Sequence, residues 1–212
     1  MQNKLVVFDW GGIIESHRKG EYNVDKAKIE LIHKFNYKAK DIVEKWSCDE
    51  IYEMEISTDD LILTKWFEKI KKIYEIDVPQ VEFLKAYQSC YNNVWYYRSV
   101  VDYIRELHLA QDCKLGILSN LCRIDVDRLQ RQVNLANFDY MWLSCQVGMR
   151  KPNWGIYRLV ERESGLVGDN ILYFEDSEEN LVIPRELGWN TCLIDGHEVG
   201  KIKEEVEKFL RV

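Results

Sequence analysis

The chain has 212 residues, of which 46% are hydrophobic and 31% are charged, a composition typical of a folded globular protein. This length suits one large core, or a core domain that carries a smaller inserted one. The formal net charge of −7 argues against a nucleic-acid partner, because phosphate backbones are bound by basic surfaces. No signal-peptide pattern precedes Leu5, and no apolar run approaches the roughly 20 residues that cross a membrane.

The cysteines indicate a reducing compartment. They are scattered along the chain at Cys48, Cys90, Cys113, Cys122, Cys145 and Cys192. None belongs to a Cys-x-x-Cys pair of the kind that zinc and redox sites use. Several lie inside apolar runs, where a thiol packs as a small core residue. We therefore expect a cytoplasmic protein.

The first predicted element is a buried strand that ends in a carboxylate. Residues 5–8 are apolar, Asp9 follows them, and Gly11 and Gly12 then turn the chain. Ligands bind at the carboxyl ends of strands in an open parallel sheet. We therefore expect Asp9 at the mouth of a site.

The pattern from residue 24 to residue 95 is helical throughout. Apolar residues recur at helical spacing, and no strand pattern interrupts them. Ser57, with Asp60 three residues later, resembles a capping box at the start of a helix. The segment is long for a crossover between strands but suits an inserted helical subdomain.

Helices and strands alternate regularly after this segment. The further predicted strands are residues 114–118, 140–143, 171–174 and 191–194. Asp125 is expected to cap the helix that follows it, and Pro184 to shorten or bend the helix of residues 180–187. Such alternation is typical of βα units around a parallel sheet. The predicted fold is α/β, a Rossmann-like parallel sheet with helices on both faces and one helical insertion.

Polar residues stand where three of the predicted strands end: Asp9, then Ser119 with Asn120, and later Glu175 with Asp176. Lys151 lies in the loop after the strand of residues 140–143. In a doubly wound sheet they would converge on one edge. Carboxylates bind magnesium, and a carboxylate can attack phosphorus. Hydroxyl, backbone N–H and ammonium groups can neutralise phosphoryl oxygens, so the set predicts phosphoryl transfer.

Four segments carry a resemblance to a known family. They read Phe8-Asp9-Trp10-Gly11-Gly12, Leu118-Ser119-Asn120, Gly148-Met149-Arg150-Lys151-Pro152 and Phe174-Glu175-Asp176-Ser177-Glu178-Glu179-Asn180. In this order they resemble the four motifs of the haloacid dehalogenase (HAD) superfamily, over essentially the whole chain. The third segment, with Ile156-Tyr157 after it, is most similar to the branch of sugar-phosphate phosphatases and the epoxide hydrolase N-terminal domain. The resemblance implies a core domain of residues 1–20 and 96–212 and a helical cap domain of residues 21–95.

The resemblance also implies a magnesium site. Asp9 would be a ligand of Mg²⁺ as well as the nucleophile. The backbone carbonyl of Gly11 would be a second ligand and Asp176 the third protein ligand. Glu175 would lie close to the ion or be bound to it through water.

The remaining matched residues would act on the phosphate. Ser119 and the backbone N–H of Asn120 would hold it, and Lys151 would pair with both Asp9 and the phosphate. The implied activity is magnesium-dependent hydrolysis of a small phosphorylated metabolite, with a sugar phosphate favoured, through an aspartyl-phosphate intermediate.

Gly11 departs from the pattern of most family phosphatases. They carry an Asp at this position, which serves as general acid and then as base. Loss of such a group costs about 10²–10⁴-fold in rate, although some members of the sugar-phosphate phosphatase branch also carry Gly here. Glu15 and His17, in the loop that follows, are the candidates for a replacement.

Two alternatives stay open. Asp9-Trp10-Gly11-Gly12 is similar to the Asp-Trp-Ala-Gly of phosphonoacetaldehyde hydrolases, which cleave a C–P bond with a cap lysine as Schiff base. No cap lysine here stands in a matching motif, and haloacid dehalogenation ranks lower still because those enzymes do not require a magnesium site. The other alternative is a HAD-fold binding protein without useful catalysis. Gly11 favours it, and the retention of Asp9, Lys151 and Asp176 argues against it.

Overall fold

A five-stranded parallel sheet forms the centre of the computed structural model, with the strand order β3-β2-β1-β4-β5. The structure describes residues 4–18, 20–46, 53–54, 56–57 and 61–211. The strands are β1 (Leu5–Phe8), β2 (Lys114–Ser119), β3 (Tyr140–Leu143), β4 (Ile171–Glu175) and β5 (Asn190–Leu193). Each predicted strand agrees with these bounds to within one residue at each end.

The helices fall into two groups along the chain. Those before β2 are α1 (Val24–Phe35), α2 (Ile42–Trp46), α3 (Ile62–Tyr74), α4 (Gln80–Tyr91) and α5 (Arg98–Ala110). Those after β2 are α6 (Val126–Gln132), α7 (Ser144–Val147), α8 (Trp154–Ser164), α9 (Val182–Glu186) and α10 (Val199–Arg211). Within the described part of the chain, no helix is both long and apolar enough to cross a bilayer.

Apolar side chains cover both faces of the sheet. Val6 and Phe8 of β1 belong to a buried cluster that includes α5 and α10 on one face. Leu5 and Val7 point the other way and pack in a cluster with α8. Successive side chains of a strand point to opposite faces, so a strand buried on both sides has a continuous apolar sequence. The predicted α/β fold with helices on both faces is confirmed.

The order of the strands creates a switch point beside β1. The chain places β2 and β3 on one side of β1 and then returns to place β4 and β5 on the other. β1 and β4 pair in register from Leu5 opposite Ile171 to Phe8 opposite Phe174. The residues that follow these two strands therefore lie side by side, at the place where open α/β sheets bind ligands.

Helices α1 to α4 lie between β1 and β2 in the chain and share a buried apolar cluster of their own. Its largest members are Trp46, Trp66, Phe67, Tyr74, Phe83, Tyr87 and Tyr91. The predicted capping box cannot be compared in full, because Asp60 lies outside the described residues; α3 begins at Ile62. This helical region is the predicted insertion.

Two neighbouring chain segments join the helical region to the sheet. The backbone N–H of Ser16 donates to the carbonyl of Trp95, and the N–H of Trp95 donates to the carbonyl of Tyr22, each at 2.8 Å. The N–H of Tyr97 donates to the carbonyl of Ile14, also at 2.8 Å. The chain therefore enters and leaves the helical region at the same place.

Two local predictions had different outcomes. Pro184 does accompany a shortened helix, since residues 178–181 are a 3₁₀ turn and α9 follows it for only 5 residues. The prediction that Asp125 caps α6 is wrong, because its side chain makes no capping hydrogen bond. The Asp125 carboxylate instead accepts a hydrogen bond from the Tyr87 hydroxyl at 2.6 Å and pairs with Arg128.

Candidate active site

Asp9 is fixed at the carboxyl end of β1 and is only 6% exposed. Its backbone N–H donates to the carbonyl of Phe174 at 3.0 Å, which continues the pairing of β1 with β4. Its Oδ1 accepts a hydrogen bond from the N–H of Trp10 at 2.7 Å. Because backbone contacts hold both the main chain and the side chain, the carboxylate has a defined orientation.

Lys151 is a buried cation that contacts two carboxylates. Its Nζ lies 3.0 Å from Asp9 Oδ1 and 2.7 Å from Glu175 Oε2, and it donates to the Tyr173 hydroxyl at 3.0 Å. The residue is 1% exposed. Burial works to lower the pKa of Lys151, but the charges of Asp9 and Glu175 raise it above its usual value. The ammonium group therefore stays charged at neutral pH.

Asn120 connects the end of β2 to the loop that carries Lys151. The Lys151 backbone N–H donates to Asn120 Oδ1 at 2.8 Å, and Asn120 Nδ2 donates to the Lys151 carbonyl at 3.0 Å. The side chain of Asn120 is thereby engaged with the loop that carries Lys151. Ser119 is the last residue of β2, is buried, and lines the same cavity as Asp9.

Glu175 ends β4 and is fully buried. Its Oε2 accepts hydrogen bonds from Lys151 and from the Tyr173 hydroxyl, and its Oε1 accepts one from the N–H of Ser177 at 3.1 Å. Burial works to raise the pKa of Glu175, but the Lys151 charge and these hydrogen bonds lower it to about 2. Glu175 is therefore an ionised anchor for Lys151.

Three carboxylates meet beside this lysine. Asp9, Glu175 and Asp176 can each offer an oxygen within 4.8 Å of the others. Burial and the charges of Glu175 and Asp176 raise the pKa of Asp9 to about 7, although Lys151 pulls it down. A divalent cation would neutralise this excess of negative charge, and carboxylate oxygens are the ligands that Mg²⁺ prefers. The residues present fit a magnesium ion.

Gly12 makes room for this arrangement. Its φ is +72°, and a Cβ at this position would stand 1.9 Å from Asp176 Oδ2. Only glycine combines this backbone conformation with the space that the carboxylate occupies. The predicted ligands Asp9, Asp176 and Glu175 are therefore brought together, and Gly11 lines the same cavity.

The two candidates for the missing acid–base group, His17 and Glu15, have different surroundings in the structure. A Cβ on Gly11 would lie 2.8 Å from Cε1 of His17, so the imidazole stands where an additional side chain would begin. Nδ1 of the half-exposed His17 lies 3.4 Å from Asp176 Oδ2. Burial works to lower the pKa of His17, but the hydrogen bond and charge of Asp176 raise it. Glu15, in contrast, is buried in an ion pair with Arg128, with 3.2 Å between Oε2 and Nε.

The site opens into a cavity of about 520 Å³. Its polar end holds Asp9, Ser119, Asn120, Lys151 and Asp176, and its other walls include aromatic residues of the helical region. A cavity of this size admits a small metabolite. The predicted site residues thus share one cavity with side chains from a different part of the chain.

The sequence analysis did not identify Arg128, which also lines this cavity. Its guanidinium group lies between two rings, 4.7 Å from the centroid of Trp10 and 4.9 Å from that of Tyr91. In the sequence, Arg128 stands out only by its spacing of three residues from Asp125, and ion pairs with this spacing are common on the exposed faces of helices. That signal does not predict burial.

The comparison with protein families matches residues 24–194 to haloacid dehalogenase-like hydrolases. The chain belongs to this family. The match begins at residue 24, so the segment that carries Asp9 lies before it. A search of curated proteins finds no similar sequence.

Solved structures of HAD family proteins share the fold. A HAD family enzyme from Bacteroides thetaiotaomicron, in complex with magnesium and inorganic phosphate, is 20% identical with a TM-score of 0.74, over 92% of this chain and 96% of that one. A protein from Porphyromonas gingivalis described as a predicted HAD-like family hydrolase is also 20% identical, with a TM-score of 0.75, over 97% and 98% of the two chains. The L-2-haloacid dehalogenase from Xanthobacter autotrophicus, with chloropropionic acid covalently bound, is 18% identical with a TM-score of 0.62, over 89% and 76%. At these identities the likeness concerns the fold.

Proposed function

We propose that this HAD-like hydrolase is a magnesium-dependent phosphatase that acts on a small phosphorylated metabolite through an aspartyl-phosphate intermediate. The observation that carries the proposal is the contact of buried Asp9 with Lys151, at 3.0 Å, beside two further carboxylates. The presence of magnesium and inorganic phosphate in the Bacteroides thetaiotaomicron structure supports it. The segment around Lys151 favours a sugar phosphate, through its resemblance to that branch of the family. A cytoplasmic location stays a prediction.

Asp9, Asp176 and the Gly11 carbonyl would hold the magnesium ion. Glu175 would act through water, because its Oε2 is already engaged by Lys151 and Tyr173. When bound, the ion supplies positive charge that neutralises the phosphoryl oxygens. The three carboxylates alone carry more negative charge than Lys151 balances, which supports a cation at this place.

Asp9 is the proposed nucleophile. Its free carboxylate oxygen attacks phosphorus, and the bond from phosphorus to the ester oxygen breaks. The departing oxygen takes a proton, for which His17 is the candidate donor, and leaves as the alcohol. Lys151 neutralises charge at Asp9 and at the phosphate, while Ser119 and the Asn120 N–H bind the phosphoryl oxygens. Water then cleaves the acyl phosphate, which releases phosphate and regenerates the Asp9 carboxylate.

The helical region would serve as a cap domain of residues 21–95 over a core of residues 1–20 and 96–212. Two observations support this division: α1 to α4 have their own apolar cluster, and aromatic residues of this region line the cavity above Asp9. Rings from the cap would then contact the organic part of the substrate. The core would supply the groups that act on phosphorus.

Phosphate release from a panel of phosphate esters tests the proposal. We expect hydrolysis with Mg²⁺, none with EDTA, and a fall in kcat of at least about 10³-fold in Asp9→Asn, which removes the nucleophile. Asp102→Asn, at an exposed position of α5, is the matched control and keeps its activity. Activity that survives in EDTA or in Asp9→Asn contradicts the proposal.

The alternative of C–P cleavage is kept because a lysine of the helical region, Lys28, lines the cavity. Its Nζ lies 3.2 Å from Asp25 Oδ1. Trapping of the protein by borohydride in the presence of phosphonoacetaldehyde would favour this chemistry. Tight binding of a ligand without turnover of any ester or phosphonate would favour a binding protein.

A further inference from the structure

One face of α6 holds the turn that follows Asp9. The indole N–H of Trp10 donates to Gln132 Oε1 at 2.8 Å, and Gln132 Nε2 donates to Glu15 Oε2 at 3.2 Å. Arg128 lies one helical turn earlier on the same face. Its guanidinium carbon lies 4.7 Å from the centroid of the Trp10 ring, and its Nε lies 3.2 Å from Glu15 Oε2. Both side chains of α6 therefore contact both ends of the turn.

The turn itself is closed by backbone hydrogen bonds. The carbonyl of Trp10 accepts from the N–H of Glu15, and the N–H of Gly12 donates to the carbonyl of Glu15, each at 2.8 Å. Gly11, whose carbonyl is a proposed magnesium ligand, lies inside the turn. The N–H of Trp10 donates to Asp9 Oδ1 at 2.7 Å. The turn thus carries one proposed metal ligand and the donor that orients the proposed nucleophile.

The guanidinium group of Arg128 has one fixed orientation. Its Nη2 lies 3.3 Å from Asp125 Oδ1, and the Asp125 carboxylate is itself held by a hydrogen bond from the Tyr87 hydroxyl at 2.6 Å. Arg128 is 5% exposed, and Trp10 and Glu15 are each 2% exposed. Little water reaches this depth to replace a lost contact, and a buried carboxylate without a partner is costly. The contacts that hold the turn therefore allow little movement.

Building on the proposed function, we propose that Arg128 and Gln132 are positioning residues for the reaction at Asp9. They hold Trp10 and Glu15, and through the turn they keep the Asp9 carboxylate and the neighbouring carbonyl ligand in place for the metal ion and the phosphate. A displacement of about 1 Å among reacting groups costs about 10²-fold in rate. Glu15 then serves as an anchor of the turn and not as a proton donor.

Gln132→Met tests the proposal at a half-buried, uncharged residue. It keeps the length of the side chain and removes both hydrogen bonds. We expect kcat to fall by about 10- to 100-fold, KM to change by less than about 3-fold, and the Kd for Mg²⁺, measured by calorimetry, to rise by at least about 3-fold. Gln130→Met, at an exposed position of the same helix, is the matched control and keeps all three values. Unchanged kcat and Kd in Gln132→Met overturn the inference.

A double-mutant cycle shows whether Gln132 acts through Trp10. Trp10→Phe removes the indole N–H and keeps a ring beside Arg128. We expect Gln132→Met to lower kcat by a factor at least about 3-fold smaller in the Trp10→Phe background than in the wild type. A merely structural role would lower the midpoint of urea unfolding and leave kcat per folded molecule unchanged. Additive effects on kcat overturn the inference.

Arg128→Lys tests the other member of the pair. Lysine keeps the positive charge beside Glu15 and Asp125, but it lacks the planar group that covers the Trp10 ring and contacts both carboxylates. We expect kcat to fall by about 10-fold with little change in KM. Arg131→Lys, at an exposed position of α6, is the control and keeps its kcat. Equal kcat values for Arg128→Lys and the wild type contradict the role of Arg128.

Two substitutions of Glu15 separate anchoring from proton transfer. Glu15→Gln keeps an oxygen that accepts hydrogen bonds from Arg128 and Gln132, so we expect it to lower kcat by less than about 3-fold. Glu15→Ala removes the anchor, and we expect a loss of about 10- to 100-fold. Equally large losses in both variants would indicate proton transfer by Glu15 and overturn the inference.

The wild-type protein separates this inference from the proposed function. If it hydrolyses phosphate esters with Mg²⁺ and Asp9, but Gln132→Met and Arg128→Lys are equally active, the inference falls and the phosphatase stands. If it hydrolyses no ester, the proposed function falls and the Kd for Mg²⁺ decides the inference. A Kd that is raised in Gln132→Met but not in Gln130→Met then supports it, and equal values or a lack of binding overturn it.

Discussion

The imidazole of His17 covers Gly11 so closely that a Cβ added to the glycine would stand 2.8 Å from Cε1 of the histidine. The position where most family phosphatases place a carboxylate is thus filled by a ring from the following loop. Because the His17 ring and a side chain at position 11 would compete for the same space, the effect of a substitution at one position should depend on the residue at the other.

A double-mutant cycle tests this dependence. We expect Gly11→Ala to displace the His17 ring and lower kcat, and we expect the same change to have little effect in a His17→Ala background. The two substitutions should therefore be coupled by about 0.5–3 kcal/mol in transition-state stabilisation. If His17 also transfers the proton, His17→Ala alone lowers kcat by about 10²–10⁴-fold. Additive effects would show that the ring does not occupy this space.

Gly12 should be indispensable for metal binding. In Gly12→Ala the new Cβ would stand 1.9 Å from Asp176 Oδ2, so the carboxylate must move. We expect the Kd for Mg²⁺, measured by calorimetry, to rise by at least about 10-fold. Gly165→Ala is the control, because Gly165 has a similar φ of +71° with no atom within 4 Å of the added Cβ. It should lower stability by about 1–2 kcal/mol and leave the Kd unchanged; equal effects of both changes on the Kd would refute this role of Gly12.

Lys151 should be essential for stability because it separates two buried carboxylates. Lys151→Met leaves Asp9 and Glu175 uncompensated, and we expect a loss of about 3–5 kcal/mol in the free energy of unfolding, measured with urea in EDTA. Adding Glu175→Gln should recover part of that loss. Lys208→Met removes a lysine from an exposed ion pair with Glu205 and should have a much smaller effect, because solvent screens that pair. A double variant less stable than Lys151→Met would contradict this account.

The stability of the metal-free protein should fall as the pH rises. Asp9 has a pKa of about 7 in the folded protein against 3.8 as its ordinary value. The folded state therefore keeps a proton that the unfolded chain releases, and the stability associated with it is present at low pH and lost between about pH 4 and 7. Urea unfolding in EDTA from pH 5 to 8 should show this decline, with a flatter curve for Asp9→Asn. Parallel curves for the two proteins would contradict it.

The sequence was sufficient to predict the sheet and the polar end of the site. The central strands β1, β2 and β4 are buried on both faces and have nearly continuous apolar sequences, so their ends could be located to within one residue. The carboxyl ends of parallel strands meet at one edge, which predicted that Asp9 and Glu175 would converge. Asp9 and Glu175 are direct neighbours because β1 pairs with β4, and no local sequence pattern indicates which strands pair.

The rest of the cavity depends on contacts between distant segments. Asp125 has the residue type and position of a helix cap, but Tyr87 and Arg128 engage its carboxylate instead. The burial of Arg128 requires Tyr91 of α4 on one side and Trp10 on the other. Neither ring is near Arg128 in the sequence, so the sequence of α6 alone could not predict that Arg128 is buried. The position of His17 over Gly11 likewise depends on the path of a loop.

The paired segments at Ser16, Trp95 and Tyr97 have an evolutionary consequence. The chain leaves the sheet and returns to it across a few backbone hydrogen bonds, so the strand pairing does not depend on the length or sequence between them. Replacement of α1 to α4 by another helical module would leave the polar edge of the sheet intact. Natural selection could therefore change which molecule is recognised while the chemistry proposed for Asp9 is inherited unaltered.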